Sequence, residues 1–330
     1  MAGKLKSAAV IDIGSNSVKM KISQYRKGEI QNIDLLDCPI GLGHEVFHGG
    51  KISFETLKKL TGILDGFSQV MNEYGVKQYK AVATSALREA ENSAHIVDVI
   101  KIQNNLLVDV LEDDQEKTLI YSQIFSLLPE AGIQPENALI AFIGTGSIGI
   151  AIFAEGKVRF SQNISLGSLK INDILGGVAE RSPDFHLMVE EYLDSVFARV
   201  HNAFPNRPLQ ELIVAGSDVE RIAGLLGVPL KNGFYTFQVE QVMQLYRRLR
   251  MQTPQKISFD QDISEEEAKT LYGGMAIFTK LARDLNVTQV LCPKVDLWDA
   301  ILRNMLTPNY KPKYEDEIAS NARDKLSRTF

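Results

Sequence analysis

AVIDIGSNSVKMKI at residues 9–22 and LIAFIGTGSIGIAI at residues 139–152 are the two stretches that decide how this chain folds. Each is an apolar run, a short turn of small and hydroxyl-bearing residues, and a second, alternating run, which is the pattern of a β-hairpin. The turns read Gly14-Ser15-Asn16-Ser17 and Gly144-Thr145-Gly146-Ser147, and the copies lie 130 residues apart. Matched copies at such a distance indicate two duplicated halves, each opened by the same hairpin. The expected place for a ligand is the cleft between the halves.

Working outward, Phe54, Leu57, Leu60, Leu64, Phe67 and Met71 form a helical stripe with Ser53 as its N-cap. KAVATSALREA, residues 80–90, reads as a buried strand entering a polar turn, and LLVDVLE, residues 106–112, as a further strand. DQEKTLIYSQIFSLL, residues 114–128, reads as a helix. Pro129, Gly132 and Pro135 then interrupt the pattern, so the expected domains are residues 1–128 and 129–330. In the second half Ser182-Pro183 opens a helix carrying Val189, Tyr192, Val196 and Val200, and ELIVAGS, residues 211–217, is a strand. Ser264 and Glu267 form a capping box ahead of a helix bearing Leu271, Met275, Phe278, Leu281 and Leu285. The tail from Lys311 reads as a short amphipathic helix. Strands and helices mix throughout, which indicates an α/β protein.

The composition excludes several classes. Of 330 residues, 45% are hydrophobic, enough for two cores. Two cysteines, Cys38 and Cys292, make neither a disulfide framework nor a thiolate zinc site. No apolar stretch reaches the length of a signal core or a membrane span, so a cytoplasmic protein without membrane attachment is expected. A net charge of −5 argues against nucleic acid. A polyanionic ligand would need local geometry to overcome that field.

The first turn has that geometry. Gly14 allows close backbone approach to an anion, turn amides supply a nest of donors, and Ser15, Asn16 and Ser17 add polar side chains. Asp12, at the strand end, is placed to hold Mg²⁺ directly or through water. The alternative for either loop is a plain tight hairpin turn, against which the matched second copy argues.

The ordered set IDIGSNS, ATSALRE, a strand-helix junction bearing Glu116, FIGTGS and ISLGSLKI resembles the exopolyphosphatase/guanosine pentaphosphatase family of the actin-like ATPase superfold, from about residue 8 to residue 305. The resemblance implies two ribonuclease-H-like domains with mixed five-stranded sheets. It implies a polyphosphate or guanosine penta- or tetraphosphate whose terminal phosphate lies between the two loops, with Mg²⁺ nearby. Arg88 matches the family's phosphate-binding arginine, with Thr84 and Ser85 beside it; a salt bridge to Glu89, Glu91 or another acid is the alternative. Glu116 matches the catalytic glutamate that orients or deprotonates water, although Asp113-x-x-Glu116 is also an acceptable capping box. A homodimer is implied by resemblance alone.

The chain also departs from that family. The second loop usually reads Asp-Ile-Gly-Gly-Gly-Ser-Thr-Glu; here Phe142 and Gly149 stand where the carboxylates would be. The repeat says the same, since Phe142 is the counterpart of Asp12. Pro293-Lys294-Val295-Asp296-Leu297-Trp298 replaces the usual Ser-Asp-Gly-x-Leu-Arg, and Lys294, Arg247, Arg248 and Arg250 are candidates for a polyanion path or for a solvated helix face. Two other functions stay open: a catalytically impaired sensor of polyphosphate or a guanosine alarmone, and an ATP-dependent kinase or ATPase, for which Val214-Ala215-Gly216-Ser217 is the candidate adenosine contact. His44-Glu45-Val46-Phe47-His48 matches the zinc-protease signature, which works only on a helix; Gly41, Gly43, Gly49 and Gly50 argue against one.

Overall fold

A computed structural model describes residues 6–27, 29–171, 185–201 and 209–307. These fall into two compact units. The first holds the described residues up to Ile120 together with Asp296 to Thr307, and the second holds those from Tyr121 to Val295.

In the first unit, β1 (Lys6–Ile13), β2 (Ser17–Arg26) and β3 (Glu29–Pro39) form an antiparallel meander, and β4 (Gln78–Ala83) and β5 (Val108–Val110) add in parallel. The sheet order is β3-β2-β1-β4-β5. α1 (Leu42–Gly49) and α2 (Phe54–Glu73) follow β3, α3 (Ser85–Glu89) and α4 (Ser93–Asn104) join β4 to β5, and α5 (Asp113–Glu130) follows β5. The division between the units falls inside α5, between Ile120 and Tyr121. Side-chain alternation sorts β1 cleanly. Ala9, Ile11 and Ile13 enter the core made with α1, α2 and α4, alongside Val18, Met20 and Ile22 of β2. Asp12 therefore sits on the opposite face, beside its cross-strand neighbour Lys19.

The second unit repeats this plan. β6 (Asn137–Ile143), β7 (Ile148–Ala154) and β8 (Lys157–Ile164) form the meander, and β9 (Glu211–Gly216) pairs in parallel with β6. α6 (Phe185–His201) and α7 (Val219–Leu226) flank β9 in sequence. Beyond them come β10 (Phe234–Gln238), α8 (Val239–Leu249), α9 (Pro254–Gln261), α10 (Glu265–Leu285) and β11 (Gln289–Pro293). The order is β10-β11-β9-β6-β7-β8, so β11 fills the position of β5 and β10 is an additional antiparallel edge. This corrects the expected five strands to six. The short, alternating FYTFQ of β10 lies between a turn and a helix, where only pairing with β11 reveals it as a strand.

The duplication extends to irregularities. The β2–β3 register shifts between Ile22 and Ser23, and the β7–β8 register shifts between Ile152 and Phe153, at equivalent places in the repeat. A bulge kinks its strand and is retained as a built feature. α11 (Leu297–Leu306) packs on β1 and β2 of the first unit, where Lys21 meets Asp299 at 2.5 Å and the Trp298 ring lies under the ammonium groups of Lys19 and Lys21. The chain thus has an α/β architecture of two units built on the same meander-plus-parallel-strand plan, as expected for two ribonuclease-H-like domains. Among the described residues no helix is long and apolar enough to cross a membrane.

Local signals behave as expected where caps decide them. Ser53 accepts from the Thr56 amide, and Ser264 with Glu267 makes a complete capping box at the start of α10. The expected helix start at Ser182-Pro183 and the helix from Lys311 lie outside the described residues. Two readings are corrected. The polar turn after β4 is the five-residue helix α3 with Thr84 at its N-cap. His44–His48 does form a helix, because Gly41 and Gly50 take left-handed φ values of 70° and 72° as its caps and so do not interrupt it. Glu45 of that motif is committed elsewhere: its carboxylate accepts from the Ser53 amide and from the hydroxyls of Ser53 and Thr56 at the start of α2.

Candidate functional site

The two hairpin turns close in the same way. The Gly14 amide donates to the Ser17 carbonyl at 3.0 Å, and the Gly144 amide to the Ser147 carbonyl at 3.0 Å. A Cβ on either glycine would come within 3.1 or 2.9 Å of that carbonyl oxygen. In the first unit the loop carbonyls are consumed by the segment after β3: Ser15 accepts from Gly43, and Asn16 from Ile40 and Gly41. In the second, Gly144 accepts from Ser168, and Thr145 from Leu169 and Lys170. Gly167 permits this approach, since a Cβ there would lie 2.3 Å from the Thr145 carbonyl group. Among the described residues, no backbone acceptor is paired with the amides of Ser15, Asn16, Thr145 or Gly146. Loop amides not spent on backbone acceptors are available to a nest that favours an anion.

Around the first loop the other expected residues assemble from distant segments. Ser15 Oγ lies 3.1 Å from Ser85 Oγ, and the Thr84 amide donates to Ile13, which ties the start of α3 to the end of β1. Arg88, in the last turn of α3, donates to the Leu111 carbonyl at 2.7 Å, to Asp113 at 2.7 Å and to Glu116 Oε2 at 3.3 Å. Its salt-bridge partners are thus Asp113 and Glu116, not the neighbouring Glu89 or Glu91. Glu116 is buried in the first turn of α5, and its Oε1 accepts from Lys117 Nζ at 2.9 Å. Lys117 also stands 3.5 Å from Asp113. Two cations and two carboxylates thus alternate in one cluster.

Asp12 stands at the C-terminal end of β1, with a buried Oδ1 that has no hydrogen-bond partner among the described residues. Burial, then the negative charge of Glu116, push its carboxyl up to about 7, opposed by Lys19 and reinforced by Asp296 and Asp37. A carboxyl that keeps its proton to about 7 when folded, against an ordinary 3.8, stabilises the fold most at low pH. That contribution is lost as pH rises across the interval. Asp12→Asn, which does not titrate, is expected to gain melting temperature relative to the intact protein between about pH 4 and pH 7 in metal-free buffer. A pH-independent difference in thermal melts would contradict the buried assignment.

The second unit keeps the loop but not the acid. The cross-strand pair Asp12–Lys19 has Phe142–Gly149 as its counterpart. Gly216 is explained by packing, because a Cβ would lie 2.3 Å from the Ile143 carbonyl oxygen. Asp218, beside it, is buried against Arg221, and burial raises its carboxyl. Of the candidate cations outside the loops, Arg247 pairs with Glu240, Arg250 with Glu190 and Lys294 with Glu220, and Arg248 is exposed.

Sequence reasoning missed Lys117, which is 1% exposed. The signal was present: Lys117 lies three, seven and eleven residues before Ile120, Ile124 and Leu128, on the buried stripe of α5. A lysine at such a position is either paired or displaced.

The sequence model of the Ppx/GppA phosphatase family matches residues 22–306. The exopolyphosphatase 1 of Mycobacterium tuberculosis is 23% identical over 309 residues, covering 90% of this chain and 87% of its own. Two solved structures share the fold. An Aquifex aeolicus Ppx/GppA family member gives a TM-score of 0.74 at 20% identity, covering 93% of this chain and 100% of that one. An exopolyphosphatase from Cytophaga hutchinsonii gives 0.80 at 19% identity, covering 91% and 97%. With the family match running through β2 to α11 and both hairpin loops in place, the chain belongs to the Ppx/GppA phosphatase family.

Proposed function

We propose that this protein hydrolyses the terminal phosphoanhydride of polyphosphate, or of a guanosine penta- or tetraphosphate, with Mg²⁺. The observation that carries the reading is the convergence of Arg88 and Glu116 within 3.3 Å, in the unit that also holds Asp12 and the Gly14–Ser17 loop. The amides, with Ser15 and Ser85, seat the terminal phosphate, and Arg88 engages its oxygens as charge develops. Gly144–Ser147 is a second anion seat of the same build. Glu116 accepts a proton from the attacking water; the new P–O bond forms as the anhydride P–O bond breaks, and its electron pair leaves with the shortened chain.

Among the described residues no group of three or more His, Cys, Asp or Glu side chains is arranged to hold a metal by itself. Mg²⁺ does not need one, since it keeps several waters and binds through one or two carboxylates plus substrate phosphates. Asp12, with its orphaned buried oxygen and its raised carboxyl, fits that role. The ion supplies charge compensation for the phosphates when bound.

Labelled long-chain polyphosphate, resolved by chain length after incubation, tests the reaction. Monophosphate alongside residual long polymer supports terminal release, whereas internal fragments or an unchanged polymer would sink it.

One second reading has its own support. Arg88 is held by Asp113 and Glu116, and Phe142 and Gly149 leave the second loop without acids, which suits a sensor that binds without turnover. Asp113 competes with phosphate for Arg88 under either reading. Asp113→Asn is therefore expected to tighten tripolyphosphate binding about fivefold, the worth of about 1 kcal/mol for a partly exposed ion pair. Calorimetry with tripolyphosphate checks this, and weaker binding would show that Asp113 orients Arg88 instead of competing for it.

A further inference from the structure

We propose that Lys117 is a positioning residue for the hydrolytic step, acting through Glu116; the inference rests on the reading of Glu116 as the base. The two oxygens of Glu116 have different partners: Oε1 is held by Lys117 at 2.9 Å and Oε2 by Arg88 at 3.3 Å. Arg88 is the cation with a second task, because a phosphate on the neighbouring loop competes for its guanidinium. Lys117 is the more enclosed of the two cations. Its side chain is 1% exposed, on the face of α5 shared with Ile120, Ile124 and Leu128, and its other acid is Asp113 at 3.5 Å.

When Arg88 turns to phosphate, Lys117 keeps Oε1 fixed and Oε2 is the oxygen released to meet water. The base would then be oriented by the residue next to it in sequence, on the same rigid turn of helix. Proton transfer requires a base within hydrogen-bond reach of the water, so loss of this anchor acts on turnover more than on substrate capture.

The test is a double-substitution cycle on the full-length protein, reading phosphate release from long-chain polyphosphate with Mg²⁺. Lys117→Met is expected to lower kcat by about ten- to a hundredfold with KM changed less than about threefold, as for loss of a transition-state interaction. In the Glu116→Gln background the same substitution is expected to cost less than about twofold, because coupled residues are not additive. Lys117→Gln, which still donates a hydrogen bond, is expected to fall between Lys117→Met and the intact protein. If Lys117→Met does not give a cooperative melt, the cycle is run with Lys117→Gln. An undiminished kcat, or equal losses in both backgrounds, would overturn the proposal while leaving the function intact. An intact protein without turnover would overturn the reading of Glu116 and this proposal together.

Discussion

Replacing Glu116 with glutamine is expected to lower kcat for phosphate release by about 10²- to 10⁴-fold, the usual worth of a positioned general base. Glutamine matches the shape of glutamate but carries one acceptor oxygen in place of two, so it keeps an acceptor for only one of the contacts from Lys117 and Arg88. What disappears is the carboxylate that takes the proton. Phosphate binding is expected to hold or strengthen, because Arg88 loses one of the two carboxylates that occupy it. Steady-state kinetics paired with calorimetry on the same preparation separates these effects. A parallel loss of kcat and binding would indicate that Glu116 only holds Arg88 in place.

Replacing Arg88 with alanine is expected to reduce kcat/KM by about 10²- to 10³-fold, on the scale of removing one preorganised donor from a developing oxyanion. Lysine is not expected to rescue it, since an ammonium lacks the planar fork that contacts two oxygens together. Arg88 also has a structural role. It joins the Leu111 carbonyl to Asp113 and Glu116, so its removal leaves Lys117 to compensate two carboxylates. A stability loss of about 2 kcal/mol is expected, about 1 kcal/mol for each of its two partly exposed ion pairs. Chemical denaturation gives that figure, and kinetics on the folded fraction gives the catalytic one. A variant that loses stability but keeps kcat/KM would leave Arg88 with the structural task alone.

Much of the fold was legible because the repeat is local and the hairpin signal is strong. The Gly14–Ser17 and Gly144–Ser147 turns, the Ser53 cap and the Ser264–Glu267 box follow from residues close together in sequence. Features that depend on distant partners were not legible. Helix α1 was rejected because four glycines flank or enter it, yet two of them are its caps, and the Gly43 amide is engaged by Ser15 from another hairpin. β10 is a strand only because β11 lies beside it. The partners of Arg88 are 25 and 28 residues away, past an intervening helix and strand, so they are the other acids that the sequence left unnamed and not the neighbouring Glu89 or Glu91. Lys117 was passed over because a lysine in a helix is usually solvated, although its place on an apolar stripe said otherwise.

The site also explains how a chain of net charge −5 can hold a polyanion. On the proposed function the attraction is local, arising from the Gly14–Ser17 loop amides and from a guanidinium that gives up its carboxylates for phosphate.

The most direct test of the central claim is phosphate release from long-chain polyphosphate, with and without Mg²⁺, by the intact protein and by Glu116→Gln at matched concentration. The account predicts metal-dependent release that collapses in the variant while polyphosphate binding persists. No release from an intact protein that binds polyphosphate saturably would contradict it and leave a phosphate sensor built on the Ppx/GppA fold.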